Sequence, residues 1–118
     1  MVVIEFLDSA TNSSKNVDFE FITAIESPVI FYSDTTVSKC YLPVNTEKEE
    51  TTFLFVNQDN TIDTLHIEYD KTVRLISRDC GYEFQFKNIE IVNTTYENAI
   101  SLGNELSRLN EENIKIFL

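Results

Sequence analysis

From residue 65 to residue 92 apolar and polar side chains alternate almost without a break. Leu65, Ile67 and Tyr69 alternate with His66 and Glu68, and Val73 and Leu75 flank Arg74. Tyr82, Phe84 and Phe86 then alternate with Glu83, Gln85 and Lys87. A period of two held this long marks half-buried antiparallel strands. The same signal, in shorter pieces, predicts strands over residues 2–7, 18–25, 29–32, 40–44, 51–56, 62–69, 72–77 and 114–118. Small polar clusters at 8–16, 33–36, 45–50 and 57–60 read as the connections. Asp70-Lys71 reads as a tight hairpin between two of the strands.

Two departures from strict alternation carry information. Tyr82, Phe84 and Phe86 share one parity, whereas Ile89 and Ile91 have the other. An extra residue near Lys87-Asn88, a β-bulge, would return both sets to one core, with a turn there as the alternative. Farther on the period itself changes: Ala99, Leu102, Leu106 and Leu109 are spaced as on a helix, and Thr94 and Glu97 match a capping box. The pattern therefore predicts a single all-β domain over residues 1–118. Its expected form is a mainly antiparallel β-sandwich of seven to nine strands with one C-terminal helix. A small calycin-like barrel is the alternative.

Composition narrows function more than fold. Nine Phe and five Tyr against two Gly and two Pro favour strands. Twenty acidic and nine basic residues leave a formal charge of −11. Such a field repels phosphate backbones, so nucleic acid is not an expected partner, nor is charge-driven docking on an anionic membrane. Solubility accounts for the charge; attraction of a cationic partner or divalent ion is the sharper reading. The first residues lack the basic region and cleavage site of a secretion signal, which fits either a cytoplasmic protein or a mature form.

Candidate chemistry is sparse. His66, the sole histidine, falls on the polar side of its strand, and nothing nearby in sequence completes a nucleophile–base set with Cys40 or Cys80. Two glycines cannot build a phosphate loop. Asn57, Asp59, Thr61, Asp63 and Glu68 loosely imitate a calcium loop, but Ile62 replaces the required glycine, so a polar hairpin turn is expected. No catalytic residue, metal ligand or cofactor follows from this pattern. Cys40 and Cys80 form a disulfide in an oxidising compartment or stay as two small buried hydrophobes. Pro43 demotes the 40–44 strand to an edge or a bulge. With Tyr32 and Tyr41 near it in sequence, that edge is a candidate for protein contact or self-association. The competing role for Pro43 is protection of the edge from aggregation.

At Val73–Phe86 (VRLISRDCGYEFQF) the chain resembles a family of small uncharacterised Bacteroidota lipoproteins of unknown function. Ser77-Arg78-Asp79-Cys80-Gly81-Tyr82 carries the likeness, with looser agreement at residues 3–8, 41–45 and 114–117. The resemblance implies an exported β-protein in the periplasm or outer membrane, lipid-anchored through a segment missing from this chain. It implies no activity and no functional residues. Independently of it, Gly81 suits a sharp corner between strands, because glycine tolerates positive φ. The expected function is a non-enzymatic structural or binding module of the bacterial cell envelope. An apolar-ligand-binding barrel and a small hydrolase are the alternatives.

Overall fold

The computed structural model describes the backbone of residues 2–27, 29–78, 81–102 and 112–118, excluding the side chains at 74–77 and 82–84. Nine strands run through these residues: β1 (Val2–Leu7), β2 (Val17–Ala24), β3 (Tyr32–Val37), β4 (Lys39–Leu42), β5 (Glu50–Asn57), β6 (Ile62–Ser77), β7 (Gly81–Thr94), β8 (Asn98–Ser101) and β9 (Ile114–Phe117). They make a four-stranded sheet in the order β4-β1-β9-β8 and a five-stranded sheet in the order β3-β2-β5-β6-β7. Every pairing is antiparallel except that of β1 with β9. Neither sheet closes on itself, so the architecture is the expected open sandwich and the barrel is not formed.

The inward parities of the two sheets meet in one core. Val2, Ile4, Phe6, Cys40, Leu42, Ile114 and Ile116 come from the smaller sheet. Phe19, Ile22, Phe53, Phe55, Leu65, Ile67, Tyr69 and Ile89 come from the larger. Phe6 is the bridge: its ring centroid lies 5.4 Å from that of Phe19 and 6.0 Å from that of Phe55. Tyr96, in the connection after β7, closes the same cluster, 5.8 Å from Phe55. Its hydroxyl is buried with no hydrogen-bond partner among the described residues. Aromatic pairs at such separations add about 0.5–1.5 kcal/mol each beyond the area they bury.

The bulge expected near Lys87-Asn88 is present. Glu68 pairs with Glu90 and Asp70 with Lys87, so two residues of β7, Asn88 and Ile89, oppose Tyr69 alone. Asn88 takes φ 55°, and its side-chain amide donates to Asp70 at 2.6 Å. Ile89 is thereby returned to the interior. The corner glycine also behaves as expected, with Gly81 at φ 78°.

Three expectations fail, each for a physical reason. Asp70-Lys71 is not a turn; β6 passes straight through it. Val73 and Leu75 keep the parity of Leu65, Ile67 and Tyr69, so one uninterrupted strand satisfies the whole pattern. The third strand is not residues 29–32 but the polar Tyr32–Val37, while Val29 and Ile30 are exposed in the preceding loop. β3 lies at the rim of its sheet, where the pattern is not forced by a core on both sides. The C-terminal helix does not begin where its capping box suggested. Thr94 ends β7, its hydroxyl donating to the Thr64 carbonyl and accepting from the Tyr96 amide, and Asn98–Ser101 is strand. Pairing of β8 with β9 outweighs a weak helical spacing there. The remainder of that expected helix, residues 103–109, lies outside the described residues. Among the described residues no helix is long and apolar enough to cross a membrane.

Candidate functional site

The side chains singled out from sequence fall in separate places. Cys40 on β4 is a free thiol with no exposed surface, and burial pushes it up to about 12. A thiol so placed is not a nucleophile near neutral pH. His66 is on the other sheet, with Nε2 3.6 Å from Glu50 on the adjacent β5. Because Cys40 is unbridged, the expected Cys40–Cys80 disulfide is not formed; Cys80 itself lies outside the described residues. The candidate calcium loop is a hairpin turn whose oxygens are engaged internally. The Asp59 carboxylate accepts from the Thr61 amide and hydroxyl, and Asn57 donates to Thr61 and Asp63.

The structure does bring Tyr32, Tyr41 and Pro43 together. β4 is the rim of the smaller sheet and ends at Leu42, one residue before Pro43. Tyr32 reaches across from β3, the rim of the larger sheet, and its phenol oxygen accepts the Tyr41 amide at 3.0 Å. Each sheet thus lends a group to close the same side of the sandwich. A donor that would otherwise recruit a foreign strand is held inside the chain. Beyond Pro43 a cleft of about 370 Å³ opens between the β2–β3 loop and residues 43–48, with Phe31, Pro43 and Val44 among its walls.

A larger feature was not read from sequence. β5 ends its pairing with β6 at Glu50–Glu68, whereas β6 and β7 continue together from Asp70–Lys87 to Ser77–Gly81. Asp70–Ser77 of β6 and Gly81–Lys87 of β7 therefore extend beyond β5 as a two-stranded arm about 25 Å long at roughly 3.3 Å per residue. Its base is braced by Tyr69, whose ring stacks edge-on with Phe86 at 5.4 Å. The Tyr69 hydroxyl lies 2.8 Å from that of Thr51 and 2.6 Å from the Asn45 carbonyl. Thr51 in turn accepts the Asn45 amide at 2.8 Å. The loop before β5 is locked to the arm by this ring of bonds, and Lys71 donates to the Thr46 carbonyl beside it.

At the same base lies a cleft of about 870 Å³ lined by Glu49, Glu50, Glu68, Asp70 and Glu90, with Lys48 the single basic residue among the described residues that line it. Register explains the concentration of charge. Glu50 is opposite Glu68, and Glu68 is opposite Glu90, so three carboxylates stand in a row across β5, β6 and β7. Like charges directly opposite destabilise a sheet. The unbroken parity through Asp70-Lys71 was the one sequence signal from which the arm was recoverable. The acidic row depends on strand register and had no local signal.

These features define a class: an open, two-sheet β-sandwich with one side closed by Tyr32, a two-stranded arm and an acidic cleft at its root. More specifically, residues 21–118 match the model of a family of unknown function, DUF6452, and the chain belongs to that family. No curated protein and no solved structure matches the chain.

Proposed function

We propose that the protein is a non-enzymatic structural or binding module of the bacterial cell envelope, held in the periplasm or at the outer membrane by a lipid anchor outside this chain. The observation that carries the non-enzymatic part is the separation of its reactive groups. Cys40 is sealed in the core of one sheet, while His66 lies on the other, its Nε2 3.6 Å from the Glu50 carboxylate. A hydrolase needs a nucleophile and base within hydrogen-bond reach, and the described residues offer no such pair. The open sheets likewise favour a packed module over a ligand-filled barrel. Location rests on the resemblance to Bacteroidota lipoproteins, and a protein surface, not nucleic acid, is the partner that the charge allows.

The test is expression from the complete gene in its own host, with lipid labelling and fractionation. Recovery of the labelled protein with the envelope supports the proposal. An unlabelled cytosolic protein overturns the location, and reproducible turnover of an ester or peptide library by the pure chain, lost on replacing Cys40 or His66, overturns the non-enzymatic reading.

A further inference from the structure

We infer that the two clefts form one docking groove for an extended peptide segment of a partner protein, in which apolar residues precede a run of lysines or arginines. This rests on the binding-module half of the reading above and names the chemistry of the partner.

The clefts adjoin, because Lys48 and Glu50 line both. Strand order fixes their sequence along the sheet. The end of β2 lies beside β5, where Ala24 pairs with Phe53 and the Ile25 amide donates to the Thr52 carbonyl at 2.9 Å. Glu50 stands at that same end of β5, followed across the sheet by Glu68 of β6 and Glu90 of β7. At about 4.8 Å per strand the row spans about 10 Å, the reach of about three extended residues. A peptide anchored between the β2–β3 loop and residues 43–48 therefore lays its next residues along carboxylates.

The apolar end is preformed. Ala24, Ile25, Phe31, Pro43 and Val44 contribute to its walls, and its volume of about 370 Å³ is that of a binding cleft. Ile25, Val29 and Ile30 of the same loop are each more than half exposed. Hydrogen bonds pin the loop in this form. The Thr23 hydroxyl donates to the Val29 carbonyl at 2.7 Å, the Ser27 hydroxyl accepts the Val29 amide at 3.2 Å, and the Phe31 amide donates to the Ile22 carbonyl at 2.9 Å. A surface held ready in this way loses little entropy when it is covered.

Charge selects the occupant. Lys48 already pairs with Glu26 at 2.7 Å, whereas the Glu68 and Glu90 carboxylates have no partner among the described residues. Like charges side by side weaken the sheet, and lysines or arginines laid over them relieve that cost. A second copy of a chain at −11, or an anionic membrane, meets repulsion from the same field.

Isothermal titration calorimetry of the full chain at low salt with the capped peptide Phe-Leu-Gly-Lys-Lys-Lys is the test. Saturable binding that weakens as salt is raised is expected. Replacing the lysines by glutamate, or Phe-Leu by Gly-Gly, should weaken it by about tenfold or more. On the protein, Glu68→Gln with Glu90→Gln, and separately Ile25→Asn, should each weaken it by about fivefold or more. Glu20→Gln with Glu97→Gln removes equal charge elsewhere and should cost less than about twofold. Circular dichroism establishes folding of each variant, and the peptide substitutions read the same contacts even if a variant fails to fold. Absence of saturable binding overturns the inference. So does a lysine-only peptide that binds equally well, or a control pair as damaging as the pair in the row. Binding to phosphatidylcholine vesicles, or self-association in sedimentation, that is lost on Ile25→Asn gives the apolar end to a lipid surface or a second copy and also overturns it. Each of these failures leaves envelope location and lack of turnover standing, since fractionation and substrate assays read those.

Discussion

Tyr69→Phe removes one oxygen and leaves the ring and its packing in place. In the folded protein the bonds around that oxygen close on themselves. The Asn45 amide donates to Thr51, the Thr51 hydroxyl donates to Tyr69, and the Tyr69 hydroxyl donates to the Asn45 carbonyl. Tyr69 is 3% and Thr51 6% exposed, so water cannot readily replace the lost partner. Burial also raises the Tyr69 phenol above its ordinary value, which keeps it protonated and able to donate. The bond from Thr51 and the one donated to the Asn45 carbonyl, shared more weakly with the Glu50 carbonyl at 3.2 Å, disappear, and the Thr51 hydroxyl loses its acceptor. At about 1 kcal/mol per net bond plus part of the desolvation penalty, the loss is about 2 kcal/mol. For a chain of this size that is a fall in melting temperature of roughly 6–12 °C. The assay is urea unfolding of wild type, Tyr69→Phe, Thr51→Val and the double variant. The network requires a coupling above about 0.5 kcal/mol between the two sites. Strict additivity, or a Tyr69→Phe variant as stable as wild type, would refute the closed ring as the brace of the arm.

The same substitution at Tyr96 should have the opposite sign: its buried hydroxyl has no partner among the described residues, so Tyr96→Phe should raise stability by up to about 1 kcal/mol in the same urea assay. Asn113, 1% exposed, accepts the Val3 amide at 2.9 Å and joins the two ends of the chain. Asn113→Ala should cost about 1–3 kcal/mol by stranding that amide, seen as faster hydrogen exchange along β1. At Gly81 a Cβ would meet no atom within 4 Å, so Gly81→Ala should cost only the strain of φ 78°, about 1–2 kcal/mol, read from the melting temperature. The Lys39 ammonium holds the Glu112 carboxyl down to about 2. Because that folded value is depressed, the pair's contribution is present above about pH 4.5 and lost as pH falls towards 2. The advantage of wild type over Lys39→Met, under about 1 kcal/mol for so accessible a pair, should therefore shrink across that window in urea midpoints.

The sequence alone determined the class of fold, because a core face imposes a period of two that survives in the residues themselves. It placed the bulge at Asn88, since Phe86 and Ile89 cannot share one interior without an extra residue, and it placed the positive-φ corner at Gly81. It marked β4 as a rim through Pro43. It did not show that Tyr32 closes that rim, because Tyr32 and Tyr41 meet only when two sheets are stacked. Turn chemistry misled at Asp70-Lys71: a polar pair breaks a strand only if register asks for a reversal, and register is a property of β7 as much as of β6. Helical spacing misled at Ala99, where pairing of β8 with β9 prevailed over local preference. The glutamate row is wholly tertiary in origin. Glu50, Glu68 and Glu90 lie far apart along the chain, and only the alignment of three strands sets them side by side at the root of the arm.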